Sequence, residues 1–281
     1  MSGKLYIIAT PIGNLKDISS NALDVLNQVD LIACENPMHT IKLLNHYNIK
    51  KPMDKFFDHN EKEKSKFLCS MLHQGKNIAL VSDAGTPLIS DPGFNLVRLV
   101  RQEGIQVVPI VGPCALIAAL SVSGLNTNRF IFEGFLPAKH TIRVKQLENL
   151  KYETATLVFY ESPHRILKSL QDCISVFGLM RMAVIARELT KQYETIEMQP
   201  LGQLYQWMIA NKQDRGEIVL LIQGAELAQR QHEMEHALNI LMPVLHGKQL
   251  VDSVRQLTGA SKQSIYKAVA KITDQNDESH N

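Results

Sequence analysis

Polar residues that could bind a small ligand follow a short apolar run in the first half of the chain. Residues 78–81 are all apolar and predict a buried strand. The segment after them contains Ser82, Asp83, Gly85 and Thr86. Such a strand end offers backbone N–H groups, a carboxylate and a hydroxyl, and open α/β sheets bind ligands at that edge. A ligand site is one reading of this segment; an ordinary loop between a strand and a helix is the other.

The same segment ends in Asp91 and Pro92, which predict the start of a helix. Aspartate is favoured as an N-cap because its carboxylate accepts from free N–H groups, and proline is favoured at the first helical position. Apolar residues at 96, 97, 99 and 100 continue with helical spacing. We therefore expect Asp91 to cap this helix.

Composition limits the class of protein. A 281-residue chain with 45% hydrophobic and 21% charged residues is typical of a globular protein with a large core. A net charge of +2 means that any surface facing nucleic acid must be local. The four cysteines form no CxxC pair, so we expect a reducing, cytoplasmic location and no bound metal.

Neither of two apolar segments predicts a membrane protein. The N-terminal apolar run is broken by Pro11 and Gly13 and does not resemble a signal peptide. Residues 105–128 carry no charge over the length of a membrane span, but prolines and glycines divide them. We expect a strand over 105–110 and a helix from Pro113.

Strand and helix patterns alternate along the first half of the chain, which predicts a parallel sheet. The predicted strands there are 4–10, 30–34, 78–81 and 105–110. Because polar loops follow these strands, we expect them to share one edge and one site. A second α/β unit has predicted strands at 130–135, 154–160, 182–186 and 217–223. We therefore divide the chain into two α/β domains, 1–112 and 113–224, and a helical segment, 225–281.

The C-terminal segment resembles a helix-turn-helix. A turn at 258–260 separates two helical patterns, and Ser261 is the expected cap of the second. Five lysines and arginines, but only one acidic residue, Asp252, lie between Lys248 and Lys271. RNA contact and a structural cap with a solvated basic face both fit this pattern.

Several common catalytic motifs are absent: the P-loop, G-x-G-x-x-G after a strand, H-E-x-x-H and G-x-S-x-G. Their absence argues against an NTPase, the usual dinucleotide oxidoreductase, a zinc protease and an α/β-hydrolase. His39, His59 and His164 have acidic neighbours and could exchange protons. Structural loop histidines are at least as common. The residues alone thus indicate two α/β units with a polar cleft for a small ligand.

Seven motifs, in order, add a family resemblance. They are LYIIATPIGNL at 5–15, VSDAGTPLISDPG at 81–93, GPCA at 112–115, FEGFLP at 132–137, FYESPHR at 159–165, ARELTK at 186–191 and GEIVL at 216–220. Together they resemble the tetrapyrrole methylase superfamily and, within it, the ribosomal RNA small subunit methyltransferase I family. The resemblance extends from about residue 5 to residue 224, with a looser match beyond.

The resemblance implies an S-adenosylmethionine-dependent enzyme that methylates the ribose 2′-hydroxyl of a cytidine in the decoding centre of 16S ribosomal RNA. It also implies a homodimer of two-domain α/β subunits, with the cofactor in the cleft between the domains. The residues expected to line the cofactor pocket are Pro11, Asp83, Gly85, Thr86, Cys114, Ala115, Tyr160 and Ala186. For a general base that assists the transfer, the candidates are Glu35, His39 and His59.

One loop departs from the family pattern. The family has Glu-Asp-Thr-Arg-His-Thr where residues 35–40 read Glu-Asn-Pro-Met-His-Thr. Methionine cannot replace the charge-assisted hydrogen bonds of arginine to phosphate, so this loop predicts weaker RNA binding. Two alternatives therefore stay open, a non-catalytic RNA-binding or assembly protein and a methylase that acts on a tetrapyrrole carbon.

Overall fold

The first of two sheets is parallel throughout, as the alternating pattern predicts. The computed structural model describes residues 2–278, except the side chains of 227–230, 232, 271 and 273–278. The strands of the first sheet are β1 (Leu5–Ile8), β2 (Leu31–Cys34), β3 (Met53–Lys55), β4 (Ile78–Val81) and β5 (Val107–Ile110), in the order β3-β2-β4-β1-β5. Its helices are α1 (Ser20–Gln28), α2 (Pro37–His46), α3 (Glu61–His73) and α4 (Phe94–Gln102). α1 and α2 pack on one face, and α3 and α4 on the other.

The second sheet is mixed. Its strands are β6 (Phe130–Phe135), β7 (Thr156–Glu161), β8 (Met182–Arg187), β9 (Thr195–Pro200) and β10 (Ile218–Ile222), in the order β6-β7-β10-β8-β9. Only β6 and β7 pair in parallel. One face is covered by α6 (His140–Asn149), α7 (Ile166–Phe177) and α8 (Leu201–Ala210), and the other by α5 (Ala115–Val122). β9 and α6 were not predicted.

The two sheets meet through the loop that follows β1. Ile12 packs against the second sheet beside α5. The Asn14 backbone N–H donates to Thr190 Oγ1 at 3.0 Å. Between them, a Cβ atom on Gly13 would lie 2.7 Å from Thr190 Oγ1, so only glycine permits this close approach. The carboxyl edge of the first sheet is thereby held against the second.

Asp91 does not cap the following helix, contrary to the sequence prediction. α4 begins at Phe94, after Gly93 with its φ of 134°. The carboxylate of Glu61 on α3 caps this helix instead, accepting from the N–H groups of Gly93 at 3.1 Å and Asn95 at 2.8 Å. Glu61 is buried, and its second oxygen accepts from the Asn95 side chain. Capping by another helix thus leaves the Asp91 carboxylate available for other contacts.

Three helices follow the second sheet and have a small core of their own: α9 (Leu227–Leu241), α10 (Gly247–Thr258) and α11 (Lys262–Glu278). The predicted turn is present, with Gly259 in the left-handed region, and Ser261 Oγ accepts from the Ser264 N–H at 3.1 Å. Lys262 is exposed and lies 3.6 Å from Asp252. The Lys271 side chain lies outside the described residues. Within residues 2–278, no helix is both long and apolar enough to cross a membrane.

The capping of α4 by Glu61 generates a stability prediction. Replacing Glu61 with alanine leaves two backbone N–H groups without their partner, so the free energy of unfolding should fall by about 1–3 kcal/mol. Glu63→Ala is the matched control because Glu63 is an exposed acidic residue in the same first turn of α3. Urea denaturation measures both variants, and equal midpoints would refute the capping role.

Candidate functional site

A cavity of about 390 Å³ lies where the two sheets meet. Its first-sheet wall comes from the loop after β1 and the segment 83–91, and its second-sheet wall from α5 and the ends of β7, β8 and β10. Apolar side chains, among them Ile12, Phe135 and Leu189, cover part of the surface. A concave, partly apolar cavity with a few polar groups is the usual form of a small-molecule site.

Six of the eight residues expected in the cofactor pocket line this cavity. They are Asp83, Gly85, Thr86, Ala115, Tyr160 and Ala186. Pro11 lies in a small adjoining recess of about 30 Å³ that also includes Asp83. Cys114 is half-buried, immediately precedes α5, and does not contribute to the cavity lining. The sequence therefore locates the cavity, while two of its predicted residues lie beside it.

Hydrogen bonds within and between the two domains fix the walls of the cavity. Thr86 Oγ1 donates to the Pro113 carbonyl at 2.9 Å, and Gly85 forms a backbone bridge with Thr10. The Tyr160 hydroxyl accepts from the Leu116 N–H at 3.1 Å. Burial is the main cause that raises the pKa of Tyr160, so the hydroxyl stays protonated. These contacts join the segment 83–91, α5 and β7 into one wall.

Asp83 supplies an unsatisfied polar atom to the cavity. Its Oδ1 atom is buried and has no hydrogen-bond partner within the described part of the chain. A buried carboxylate oxygen without a donor costs about 1–3 kcal/mol or more, which a ligand N–H or O–H group would recover. An ammonium or hydroxyl group is therefore the chemistry that this position favours.

An acidic group of four carboxylates lies at this edge, close enough for their charges to interact: Glu35, Asp58, Asp83 and Asp91. Burial, followed by Asp83 and Asp58, raises the pKa of Glu35. Burial is also the largest cause that raises the pKa of Asp91 to about 6; a hydrogen bond from Ser82 opposes this change, and the other three carboxylates add to it. The resulting negative potential favours a cationic ligand.

The three predicted general bases lie near this edge but outside the cavity lining. Glu35 is half-buried in the acidic group, and His39 is exposed beside Pro11 in the small recess. His59 is also exposed, with its ring edge-on to Phe57 at 6.0 Å between centroids. Their catalytic roles remain predictions.

The loop at residues 35–40, which departs from the family pattern, starts helix α2. Asn36 is the N-cap of α2, because its side chain accepts from the Met38 N–H at 3.1 Å, and Pro37 occupies the first helical position. Met38 is 74% exposed, so its side chain faces solvent. Asn-Pro-Met therefore makes a good helix start on an accessible surface.

The cavity includes three carboxylates absent from the predicted set: Asp91, Glu161 and Glu217. Glu161 pairs with Arg165 at 2.8 Å, and Glu217 with Lys191 at 3.0 Å. All three fall within quoted family motifs, so a signal was present. Asp91 was missed because its sequence context resembles an N-cap.

Comparisons with known proteins agree with this architecture. The family model Tetrapyrrole (Corrin/Porphyrin) Methylases matches residues 4–205. Ribosomal RNA small subunit methyltransferase I of Haemophilus influenzae is 48% identical over 271 residues, which are 95% of this chain and 96% of that protein. The protein of the same name from Vibrio cholerae is 49% identical over 270 residues, 94% of this chain and 93% of the relative.

Solved structures of low sequence identity share the fold. A diphthine synthase aligns with a TM-score of 0.60 and 16% identity over 79% of this chain and 90% of its own. A cobalt precorrin-4 methyltransferase aligns with a TM-score of 0.58 and 18% identity over 78% of this chain and 94% of its own. The expected two-domain α/β fold is thereby confirmed.

The acidic group predicts a pH-dependent stability. The folded-state pKa of Asp91, about 6, lies above its ordinary value of 3.8, so its contribution to stability falls as pH rises between these values. Asp91→Asn removes the charge and should stabilise the ligand-free protein by about 1–2 kcal/mol above pH 6, a figure reduced for solvent screening. Below about pH 4 the gain should vanish.

Urea denaturation from pH 4 to pH 8 measures this difference. Asp24→Asn is the control, because Asp24 is exposed on α1. A stability gain that does not change with pH, or no gain at any pH, would contradict the electrostatic account of Asp91.

Proposed function

We propose that this chain, which belongs to the ribosomal RNA small subunit methyltransferase I family of the tetrapyrrole methylases, methylates 16S ribosomal RNA. The proposed methyl donor is S-adenosylmethionine. Membership of the family makes the chain a methyltransferase. The finer proposal is that the acceptor is the ribose 2′-hydroxyl of a cytidine in the decoding centre. The observation that carries the proposal is the junction cavity with the unpaired carboxylate oxygen of Asp83.

The cavity has suitable chemistry for the donor. S-adenosylmethionine carries an ammonium group, ribose hydroxyls, an adenine and a cationic sulfonium. Asp83 Oδ1 offers an acceptor for an N–H or O–H group. Apolar residues such as Ile12 and Leu189 suit the adenine ring, and the carboxylates around the cavity favour the positive charge. Its volume, about 390 Å³, lies within the range of small-molecule sites.

The donor supplies a reactive methyl group, so the protein contributes mainly by positioning. In-line alignment of two reactants can lower the activation free energy by about 7–11 kcal/mol. The Gly85–Thr10 bridge and the Thr86–Pro113 hydrogen bond hold the cavity walls in place. These contacts make the cavity a fixed template that an acceptor ribose approaches from the polar edge of the first sheet.

The polar edge argues against a tetrapyrrole as the acceptor. A macrocycle would need an open apolar trough, whereas the loops after β2 and β3 present Glu35, Asp58 and His59. The curated relatives are named as ribosomal RNA methyltransferases. A non-catalytic RNA-binding role is the remaining alternative, and methyl transfer distinguishes the two.

We further infer a cytoplasmic homodimer that acts on the small ribosomal subunit without a membrane partner or a metal. The resemblance supports the dimer, and the name of the relatives supports the ribosomal partner. Sedimentation of the purified protein measures its oligomeric state.

Donor binding gives the first prediction of the proposal. Asp83→Ala should weaken S-adenosylmethionine binding by about 1–3 kcal/mol because it removes a charged hydrogen-bond acceptor. Isothermal titration calorimetry measures the dissociation constant, with Asp24→Ala as an exposed control on α1. An unchanged dissociation constant in Asp83→Ala would remove this residue from the donor site.

The function itself is tested with methyl-labelled donor and small subunits that lack the modification. Assembled subunits and naked 16S ribosomal RNA are incubated separately, and the labelled nucleotide is then mapped. We expect label on the ribose oxygen of one cytidine of the decoding centre. Label on a base, or none on either substrate, would refute the proposal.

The solvent-facing start of α2 gives a prediction about RNA binding. Met38→Arg should tighten RNA binding and steepen its salt dependence by about one unit of slope, because one phosphate contact is added. Donor affinity should stay constant. Ser70→Arg is the control, because it adds the same charge at an exposed position of α3, which packs on the opposite face of the first sheet. If the two variants have equal salt slopes, α2 does not face the phosphate backbone.

A further inference from the structure

We propose that Asp91 accepts the proton of the ribose hydroxyl during methyl transfer, an inference that rests on the proposed function. Asp91 lines the junction cavity on the side of the first sheet. It is therefore a catalytic residue additional to those that the sequence suggested. Its position, its release from helix capping and the contacts of the other cavity carboxylates support this role.

The position of Asp91 is fixed between the two domains. The preceding residue, Ser90, has a φ of 67°, and a Cβ atom on Gly134 of β6 would lie 3.4 Å from its Oγ. The segment therefore packs against β6 of the second sheet. Asp91 is also close enough to Tyr160 to influence its ionisation. The carboxylate thus reaches the boundary between the cavity and the polar loops.

Asp91 is released from the structural role that its sequence suggests. Glu61 satisfies the N–H groups of Gly93 and Asn95 at the start of α4. Leu88 and Ser90 adopt left-handed backbone conformations that are costly for residues other than glycine. Backbone strain of this kind concentrates at functional sites. The strained loop directs towards the cavity a carboxylate that caps no helix.

The other carboxylates that line the cavity are less suited to accept a proton. Glu161 is paired with Arg165 at 2.8 Å, and Glu217 with Lys191 at 3.0 Å, so each of these carboxylates already holds a cationic partner. Asp83 carries the unpaired oxygen assigned above to the donor. Asp91, in contrast, is acted on by three carboxylates and by no cation within the described part of the chain.

The groups that face Asp91 set its basicity. Ser82 donates a hydrogen bond that favours the charged form, while Glu35, Asp58 and Asp83 disfavour it. Tyr160 faces it from the second sheet and stays neutral. Burial and these three carboxylates raise the pKa of Asp91 to about 6, so it is ionised near neutral pH and still more basic than an ordinary carboxylate.

The proposed step balances as a direct displacement. The ribose oxygen forms a bond to the methyl carbon while the carbon–sulfur bond of the donor breaks, and the bonding pair remains on sulfur. The ribose hydroxyl proton passes to an Oδ atom of Asp91. That proton then leaves to solvent and restores the carboxylate, so no oxidant, reductant or metal is required.

Single-turnover methylation of small subunits tests the role. Asp91→Asn should lower the rate constant about 10²–10⁴-fold while the dissociation constant of the donor, measured by calorimetry, changes less than about twofold. In the wild-type protein the rate should fall about tenfold per pH unit below pH 6, and this acid limb should be absent in Asp91→Asn. Asp91→Glu should recover part of the rate, and Asp24→Asn should match wild type.

The outcomes separate this inference from the proposed function. If the wild-type protein methylates the subunit and Asp91→Asn does so at the same rate, the role of Asp91 is overturned and the proposed function stands. A loss of donor affinity that accounts for the whole loss of rate also overturns it, because Asp91 would then be a donor-binding residue. A wild-type protein that transfers no methyl group to the ribose overturns both.

Discussion

The site depends on one contact, the insertion of the loop after β1 against the second sheet. Ile12 contributes an apolar side chain to the second-sheet core, and Asn14 donates its N–H to Thr190. Because the first sheet is parallel, the loops after its strands emerge at the same edge that this contact presses against the second sheet. Without it, Asp83 and Asp91 would lie on an open surface, where water would satisfy and screen their charges.

Enclosure of these carboxylates links the fold to its chemistry. Burial, and then the proximity of other carboxylates, disfavours the charged form and raises the pKa of Glu35 and Asp91. Among the described residues, the same arrangement leaves Asp83 Oδ1 without a donor and Asp91 without an ion-pair partner. In the proposed reaction, a cationic methyl donor supplies the missing partner of Asp83, and the proton of the acceptor neutralises Asp91. The ligand-free protein is thus less stable than its packing alone would allow, which is a common property of active sites.

Much of the fold could be predicted, because its strands are short, apolar and bounded by turn residues. β4 and β6 match the predicted ranges 78–81 and 130–135. β9 was missed because it is a half-buried strand at the sheet edge, with charged and amide residues between its apolar ones. Such strands derive their stability from the neighbouring strand, and local composition does not reveal that neighbour.

The candidate site was predictable as a set of loops but less so as a set of contacts. The family motifs brought six expected residues to the cavity, although Pro11 and Cys114 lie beside it. Asp91 was misassigned because local capping rules cannot detect a cap that comes from Glu61 on another helix. Helix capping is often local, but its energy depends only on a correctly placed acceptor, whichever element supplies it.

The central claim is that the junction cavity holds the methyl donor with Asp83 as its polar anchor. A crystal structure of the protein with S-adenosylhomocysteine tests it most directly. We expect the ligand in the junction cavity, a ligand N–H or O–H group about 2.7–3.2 Å from Asp83 Oδ1, and the sulfur facing Asp91. A ligand bound outside this cavity, or bound inside it with Asp83 Oδ1 still unpaired, would contradict the account.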